Sequence, residues 1–287
     1  MQRVQLATLF LAFLVFTETG HATNFDGKSE VKLGSCAAAL GAAIAPPTRI
    51  IENHSQFPKG SDFETFGIED PTYQAVLASA RRMGDDRAAF WNMLATYVGP
   101  TGYRIPEGDS TVLMVGCGKA EEAIVLSAFF GNSGFGTPSE KVKIIGIDLD
   151  GKEIDAAVER NKTIDFSKSG YDRYLPSNYQ FIVGNATRLD DHPSIPRKVD
   201  VVVSRHQQIS DSDQVWGEIF SQGLQRLRPG GVFIFTSYSE IEADMLVTKL
   251  KSLGANIVHH GKNRYARPLG HDLISKDRVV TIVRKPE

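Results

Sequence analysis

The chain has 287 residues, a net charge of −2, and 41% apolar and 23% charged residues. This length fits one large domain or a domain plus an extension, and the balance is that of a soluble globule. No basic excess is present, so nucleic acid is not an expected partner, and two cysteines, Cys36 and Cys117, do not make a disulfide framework.

At the N-terminus, Arg3 precedes an apolar run from Val4 to Phe16, and the small residues Gly20 and Ala22 follow. A short positive region, a brief apolar core and a small-residue site are the pattern of a secretory signal peptide over residues 1–22. The run is short for a membrane span, so no stable span is expected after its removal. The expected destination is therefore secreted or periplasmic. Residues 23–68 are rich in Gly, Ser, Asn and Pro and form an irregular linker.

Residues 69–104 carry the first amphipathic signal. Tyr73, Val76, Leu77 and Ala80 recur at helical spacing, as do Ala89, Trp91, Leu94 and Val98. Asp70-Pro71 is a suitable helix start. The spacing predicts an N-terminal helical cap of two short helices, with its aromatics packed in a core.

Residues 105–287 alternate strands and helices. Strand-like runs lie at 111–115, 142–148, 179–184, 199–204, 230–236, 255–260 and 278–284. Helix-like runs lie at about 119–130, 151–166, 213–227 and 239–253. The alternation predicts an α/β fold with a parallel sheet covered on both faces. Only a loop, Gly261 to Lys276, separates the last two strands, which are expected to pair antiparallel.

The first of these strands ends in Gly116-Cys117-Gly118, and the second ends in Asp148. Glycines let the backbone approach a ligand, and the helix that follows offers free N–H groups. An acid at the tip of the second strand can take both hydroxyls of a ribose. This pairing points to a nucleoside. A dinucleotide is disfavoured: the position of its third glycine is Glu121, whose carboxylate would repel a pyrophosphate. A nicotinamide-dependent oxidoreductase is thus the lesser reading. His259 and His260 are adjacent in a strand and face opposite ways, so they are not a metal pair.

The ordered set Gly116-Cys-Gly118, Gly146-Ile-Asp148, Gly184-Asn-Ala186, Val199-Asp-Val-Val-Val203 and Leu227-Arg-Pro-Gly-Gly231 resembles the class I S-adenosylmethionine-dependent methyltransferases. The closing run Val279-Val-Thr-Ile-Val283 adds to it. The resemblance covers about 105–285 and implies a doubly wound, Rossmann-like seven-stranded sheet with its last strand antiparallel. It implies S-adenosyl-L-methionine as cofactor. Gly116, Cys117 and Gly118 would lie against the methionine part, Asp148 on the ribose and Leu149 against the adenine. Asn185 would meet the adenine amino group, and Ala186 would donate its backbone N–H. Ser204, Arg205, His206 and Gln207 would face the transferred methyl group.

Alternatives stand beside these roles. Asp148 is also a possible cap for the helix from Gly151, and Asn185 a possible turn residue. The chain departs from the family pattern where an acid commonly precedes the glycine loop; here it is Met114. Glu121 or Glu122 would have to replace that acid toward the cofactor's ammonium group. The acid often found at the adenine contact is Asn185. These departures, with an export signal, leave a secreted non-catalytic binding protein as the alternative. An exported enzyme acting inside another cell, where the cofactor exists, is the middle case.

For an active enzyme, the expected acceptor is a small molecule. His206 is the candidate base, and Arg205 the candidate clamp for an anionic substrate. The loops Gly131–Ser139 and Asn263–His271 are expected at the pocket rim.

Overall fold

A computed structural model describes residues 71–104, 108–133, 135, 138–164, 173–271 and 274–287. The expected signal peptide and linker, 1–68, lie outside the described residues. The described residues up to Ala88 fall in one unit, and those of Ala89–Glu287 form a second. Where two short helices were expected, one helix, α1, runs Pro71–Tyr97. Gly84 lies between the two apolar sets, and a helix-interior glycine costs only about 1 kcal/mol. That is too little to stop a helix with no internal proline. Phe90, Met93, Leu94 and Val98, at helical spacing, are buried.

Seven strands build the sheet of the second unit: β1 (Ser110–Val115), β2 (Val142–Asp148), β3 (Tyr179–Val183), β4 (Val199–Arg205), β5 (Leu227–Ser237), β6 (Ile257–Lys262) and β7 (Val279–Arg284). The helices between them are α2 (Ala123–Phe130), α3 (Gly151–Asn161), α4 (Asp213–Arg226) and α5 (Glu240–Ser252). The spatial order is β3-β2-β1-β4-β5-β7-β6. Strands β3, β2, β1, β4 and β5 pair in parallel. Strand β7 runs antiparallel to both β5 and β6, as expected for the closing strand.

The central strands are buried on both faces. Strand β4 is buried from Val199 to Ser204, and Phe233 and Phe235 of β5 stack at 3.9 Å beneath Phe220 of α4. Near-continuous apolar runs are what a parallel sheet between two helical layers demands. The buried acid of β4 is structural. Asp200 accepts a 2.6 Å hydrogen bond from the Thr111 N–H and pairs with Arg228 of the Arg-Pro-Gly-Gly turn. Strand order reverses between the parallel neighbours β1 and β4, so their carboxyl ends open a crevice where ligands bind in such sheets.

Two loop expectations change. The segment Gly261–Lys276 is more than a loop: Arg267–His271 and Ile274–Lys276 pair as an antiparallel ribbon. The loop Gly131–Ser139 is not at the rim. Helix α2 carries the chain back to the amino end of the sheet, where the Ser127 hydroxyl bonds Ser139 and the Ser110 N–H donates to the Lys141 carbonyl at 2.9 Å. A helix-to-strand connection in such a unit always lands at that edge. The segment Asn263–His271, which follows β6, does begin at the carboxyl edge. Among the described residues, no helix is long and apolar enough to cross a membrane.

Candidate active site

The crevice begins at the end of β1. Gly116 and Gly118 have φ of +62° and +48°, the left-handed region that a side chain disfavours. A Cβ on Gly116 would also meet the Trp216 ring at 3.3 Å. Trp216, near the start of α4, is anchored by its indole N–H, which donates to the Gln208 carbonyl at 3.0 Å. Sequence reasoning passed over this tryptophan. Its signal, an aromatic on the first turn of the helix after β4, is too general to stand out. Cys117 is buried, and burial, with Asp148 and Glu122 nearby, pushes its thiol pKa up. Its sulfur fills space beside Gly146.

Asp148 stands where the sequence puts it. Its carboxylate accepts from the Gly118 N–H at 2.8 Å and from the Asp150 N–H at 3.0 Å, one bond on each oxygen. Each oxygen keeps a second acceptor position. The cap of α3 is Asp150, which accepts from the Lys152 N–H, so the capping alternative for Asp148 falls away. Leu149 and Val183, at the ends of β2 and β3, are 74% and 55% exposed. Two large apolar side chains in water beside a half-exposed carboxylate fit a nucleoside's flat face and diol.

Asn185 is exposed, and its Oδ1 accepts from the Thr187 N–H at 2.9 Å, capping the short 3-10 turn Ala186–Asp191. Ala186 is buried at the head of that turn. Met114 is buried within β1 and offers no charge to the crevice. Neither substitute acid is loose. Glu121 pairs with Arg160. Glu122 is buried, and burial raises its pKa against the opposing pull of Arg205.

At the end of β4 the residues gather tightly. Ser204 is buried, and its hydroxyl donates to the Val115 carbonyl at 3.4 Å, tying β4 to the glycine loop. Arg205 turns inward. Its Nε donates to Asp277 Oδ1 at 2.8 Å, its Nη2 donates to Oδ2, and its Nη1 lies 3.7 Å from Glu122. The guanidinium also covers the Phe90 ring at 4.6 Å. The expected clamp for an anionic substrate is therefore corrected: two carboxylates and a ring already occupy this buried cation.

His206 has φ +63° and Asp277 φ +52°. Both residue types tolerate this region better than most, yet such positions cost on the order of 1–3 kcal/mol. The His206 ring stacks on Tyr238, with centroids 4.4 Å apart, and its Nε2 lies 2.9 Å from Asp277 Oδ1. Burial alone would raise the Asp277 pKa. The charge of Arg205 and the bonds from Arg205 and His206 outweigh burial and hold it well below the usual carboxylate range. Sequence reasoning missed Asp277, which sits in a turn 72 residues after Arg205. Next to His206, Gln207 is buried, and neither atom of its amide has a hydrogen-bond partner among the described residues. No cluster of possible metal ligands occurs among the described residues.

Residues 106–285 match a family model described as a methyltransferase domain. No curated protein matches the chain. Among solved structures, it is similar to a possible exported protein from Bordetella parapertussis, at 18% identity and a TM-score of 0.44, covering 81% of this chain and 77% of that one. It is also similar to precorrin-6y C5,15-methyltransferase from Geobacter metallireducens, at 17% identity and a TM-score of 0.45, covering 70% and 87%. A third similar structure is the N-methyltransferase NodS from Bradyrhizobium japonicum, at 14% identity and a TM-score of 0.45, covering 71% and 97%.

Proposed function

Because the chain belongs to the methyltransferase domain family, we propose that it transfers a methyl group from S-adenosylmethionine to a small polar acceptor, with His206 as general base. The observation that carries this reading is the pairing of two halves across one crevice. At the ends of β1 and β2, left-handed glycines, the Asp148 carboxylate and exposed Leu149 and Val183 fit a nucleoside. At the end of β4, an imidazole is held in a strained backbone beside a buried carboxylate. When bound, the cofactor supplies an activated methyl group: the acceptor's lone pair forms the new bond to carbon, and the pair of the broken carbon–sulfur bond stays on sulfur.

The chain's own part is placement and proton transfer. Asp148 takes the ribose hydroxyls on its remaining acceptor positions, and Leu149 and Val183 cover the adenine. Positioning lowers the barrier by holding the nucleophile in line. His206 accepts the proton that the acceptor loses. The unpartnered Gln207 amide favours an acceptor that brings both a donor and an acceptor of hydrogen bonds, since leaving such groups unmet costs about 1–3 kcal/mol. With Met114 buried and Glu121 and Glu122 engaged, the cofactor's ammonium lacks a dedicated acid. Affinity is therefore expected to be weaker by about 1.5–3 kcal/mol than with a charge-assisted bond there.

Titration calorimetry of the purified chain with S-adenosylhomocysteine tests the reading. Saturable heat at up to millimolar ligand supports it. No heat and no thermal shift would leave the non-catalytic binding protein. On an acceptor that is turned over, His206→Ala is expected to slow the reaction by ~10²-fold with cofactor affinity retained; full rate would remove the base assignment alone. The export reading rests on residues 1–22, and mass spectrometry of the native protein with Met1 intact would refute cleavage.

A further inference from the structure

The cluster at the end of β4 holds a carboxylate that the reaction above does not use. We propose that Asp277 is the positioning residue for His206: it fixes the imidazole as the Nε2–H tautomer and leaves Nδ1 as the basic atom that meets the acceptor. This rests on the reading of His206 as the base.

Two contacts reach Nε2, and they conflict. The Asp277 Oδ1 lies 2.9 Å away, while the Asp277 backbone N–H approaches at 3.3 Å. If Nε2 accepted the N–H, its lone pair would also face the carboxylate oxygen. An ionised carboxylate only accepts, and Asp277 is kept ionised by the guanidinium of Arg205. The shorter contact therefore decides: Nε2 carries the proton and donates to Oδ1. The 3.3 Å approach is then only proximity.

The rest of the surroundings hold this geometry from every side. The His206 N–H donates to the Thr236 carbonyl at 3.0 Å, and its ring lies against Tyr238 at 17° between planes. Asp277 is fixed in turn. Asn263 donates to its carbonyl at 2.8 Å, and the Ser275 N–H donates to the Tyr238 carbonyl at 3.0 Å. The groups facing the ring are thus Asp277 from the turn before β7, Tyr238 after β5, Arg205 beside it on β4, and Glu122 at the head of α2. A backbone strain at both His206 and Asp277 persists only where surroundings over-determine it.

The consequence is chemical. With Nε2 committed, Nδ1 is the ring atom that takes the acceptor's proton, and the imidazolium so formed keeps its hydrogen bond to Asp277. Arg205, locked on both oxygens, prevents Asp277 from taking that proton itself. A purely structural Asp277 would only neutralise Arg205, and the tautomer of His206 would not depend on it.

Nitrogen-15 NMR of the full chain labelled at histidine distinguishes the two, with the His206 signals assigned by their loss in His206→Gln. The expected result is a bare Nδ1 and a slowly exchanging, downfield Nε2–H proton. In Asp277→Asn, which keeps the shape but removes the charge, that proton should move upfield or exchange too fast to see. Affinity for S-adenosylhomocysteine should stay within about twofold, because charge-assisted bonds at the other end are untouched. A protonated Nδ1 in the parent, or an unchanged Nε2–H proton in Asp277→Asn, overturns the proposal. If Asp277→Asn does not fold, the parent spectrum decides: without a downfield, slowly exchanging Nε2–H the proposal is overturned. A fully active His206→Ala would end the base reading and leave this spectrum as it is.

Discussion

The two ends of the crevice are built on different principles. The end proposed for the nucleoside is half-exposed and local. Asp148 holds the backbone of its own strand end and of the glycine loop, and the apolar surfaces of Leu149 and Val183 stay in water. The end proposed for the acceptor is buried and assembled from afar. Arg205, His206, Glu122 and Asp277 come from three separated stretches of chain and meet around one cation. The first end needs only a short motif on the right scaffold. The second needs the whole fold, so damage there should cost stability, and damage at the first should cost mainly binding.

The largest expected effect tests that contrast. Asp277→Ala leaves a buried guanidinium with the Glu122 carboxylate, 3.7 Å from its Nη1. Breaking such a pair costs about 3–5 kcal/mol, read as a fall in the urea midpoint at constant slope. The pH dependence has a definite sign. The folded pKa of Asp277 lies below its ordinary 3.8, so its contribution is complete above that value and is lost as pH falls through the lowered one. The gap between parent and variant should therefore be constant from neutral pH to about 4 and close only in stronger acid.

Asp148→Ala should do the reverse. On the proposed reading it removes charge-assisted contacts to the ribose, and it is expected to weaken S-adenosylhomocysteine about tenfold or more, with a stability loss well below that of Asp277→Ala. Equal affinity in the two proteins would place the nucleoside elsewhere.

These two residues also mark what the sequence makes legible. The place of Asp148 beside the glycine loop was legible because a strand end, a glycine loop and an acid are fixed by spacing along one β-α-β unit. The strand order follows from alternation and handedness for the same reason. Asp277 was not found because nothing in a Lys-Asp-Arg turn marks a residue that will meet a strand end 72 residues earlier. Arg205 was misassigned for a related reason. Its position after β4 was legible, but its direction depends on Glu122 and Asp277. The single helix α1 and the ribbon after β6 were missed because an interior glycine and short polar strands carry weak local signals.

Glu122→Gln is a smaller effect of opposite sign within the buried cluster. Burial raises the Glu122 pKa above its ordinary 4.5 despite Arg205. An acid with a raised folded pKa opposes folding when ionised, so the neutral variant should be more stable than the parent at neutral pH. That advantage should shrink as pH falls and vanish below about 4.5, where the parent is uncharged in both states. Thermal melts between pH 4 and 7.5, about the range in which a buried carboxyl titrates, would show it. A destabilised variant at every pH would mean that the Arg205–Glu122 attraction outweighs burial.

The smallest expected effect separates two roles at one exposed residue. Asn185 caps the turn Ala186–Asp191 through its Oδ1, and the family resemblance also puts it at the adenine edge. Loss of a cap costs about 0.5–2 kcal/mol, with exposed caps at the low end. Asn185→Ala should therefore lower stability by about 0.5–1 kcal/mol while S-adenosylhomocysteine affinity changes little, because a side-chain oxygen already engaged by the Thr187 N–H gives the adenine amino group a weak partner. Asn185→Asp keeps the cap and supplies the acid that the family often has. A carboxylate accepts more strongly than an amide, so affinity should rise by about fivefold. If Asn185→Ala loses affinity in step with stability and Asn185→Asp gains none, the turn serves the cofactor only by holding the Ala186 backbone N–H in place, and the nucleoside end is still more local than its side chains imply.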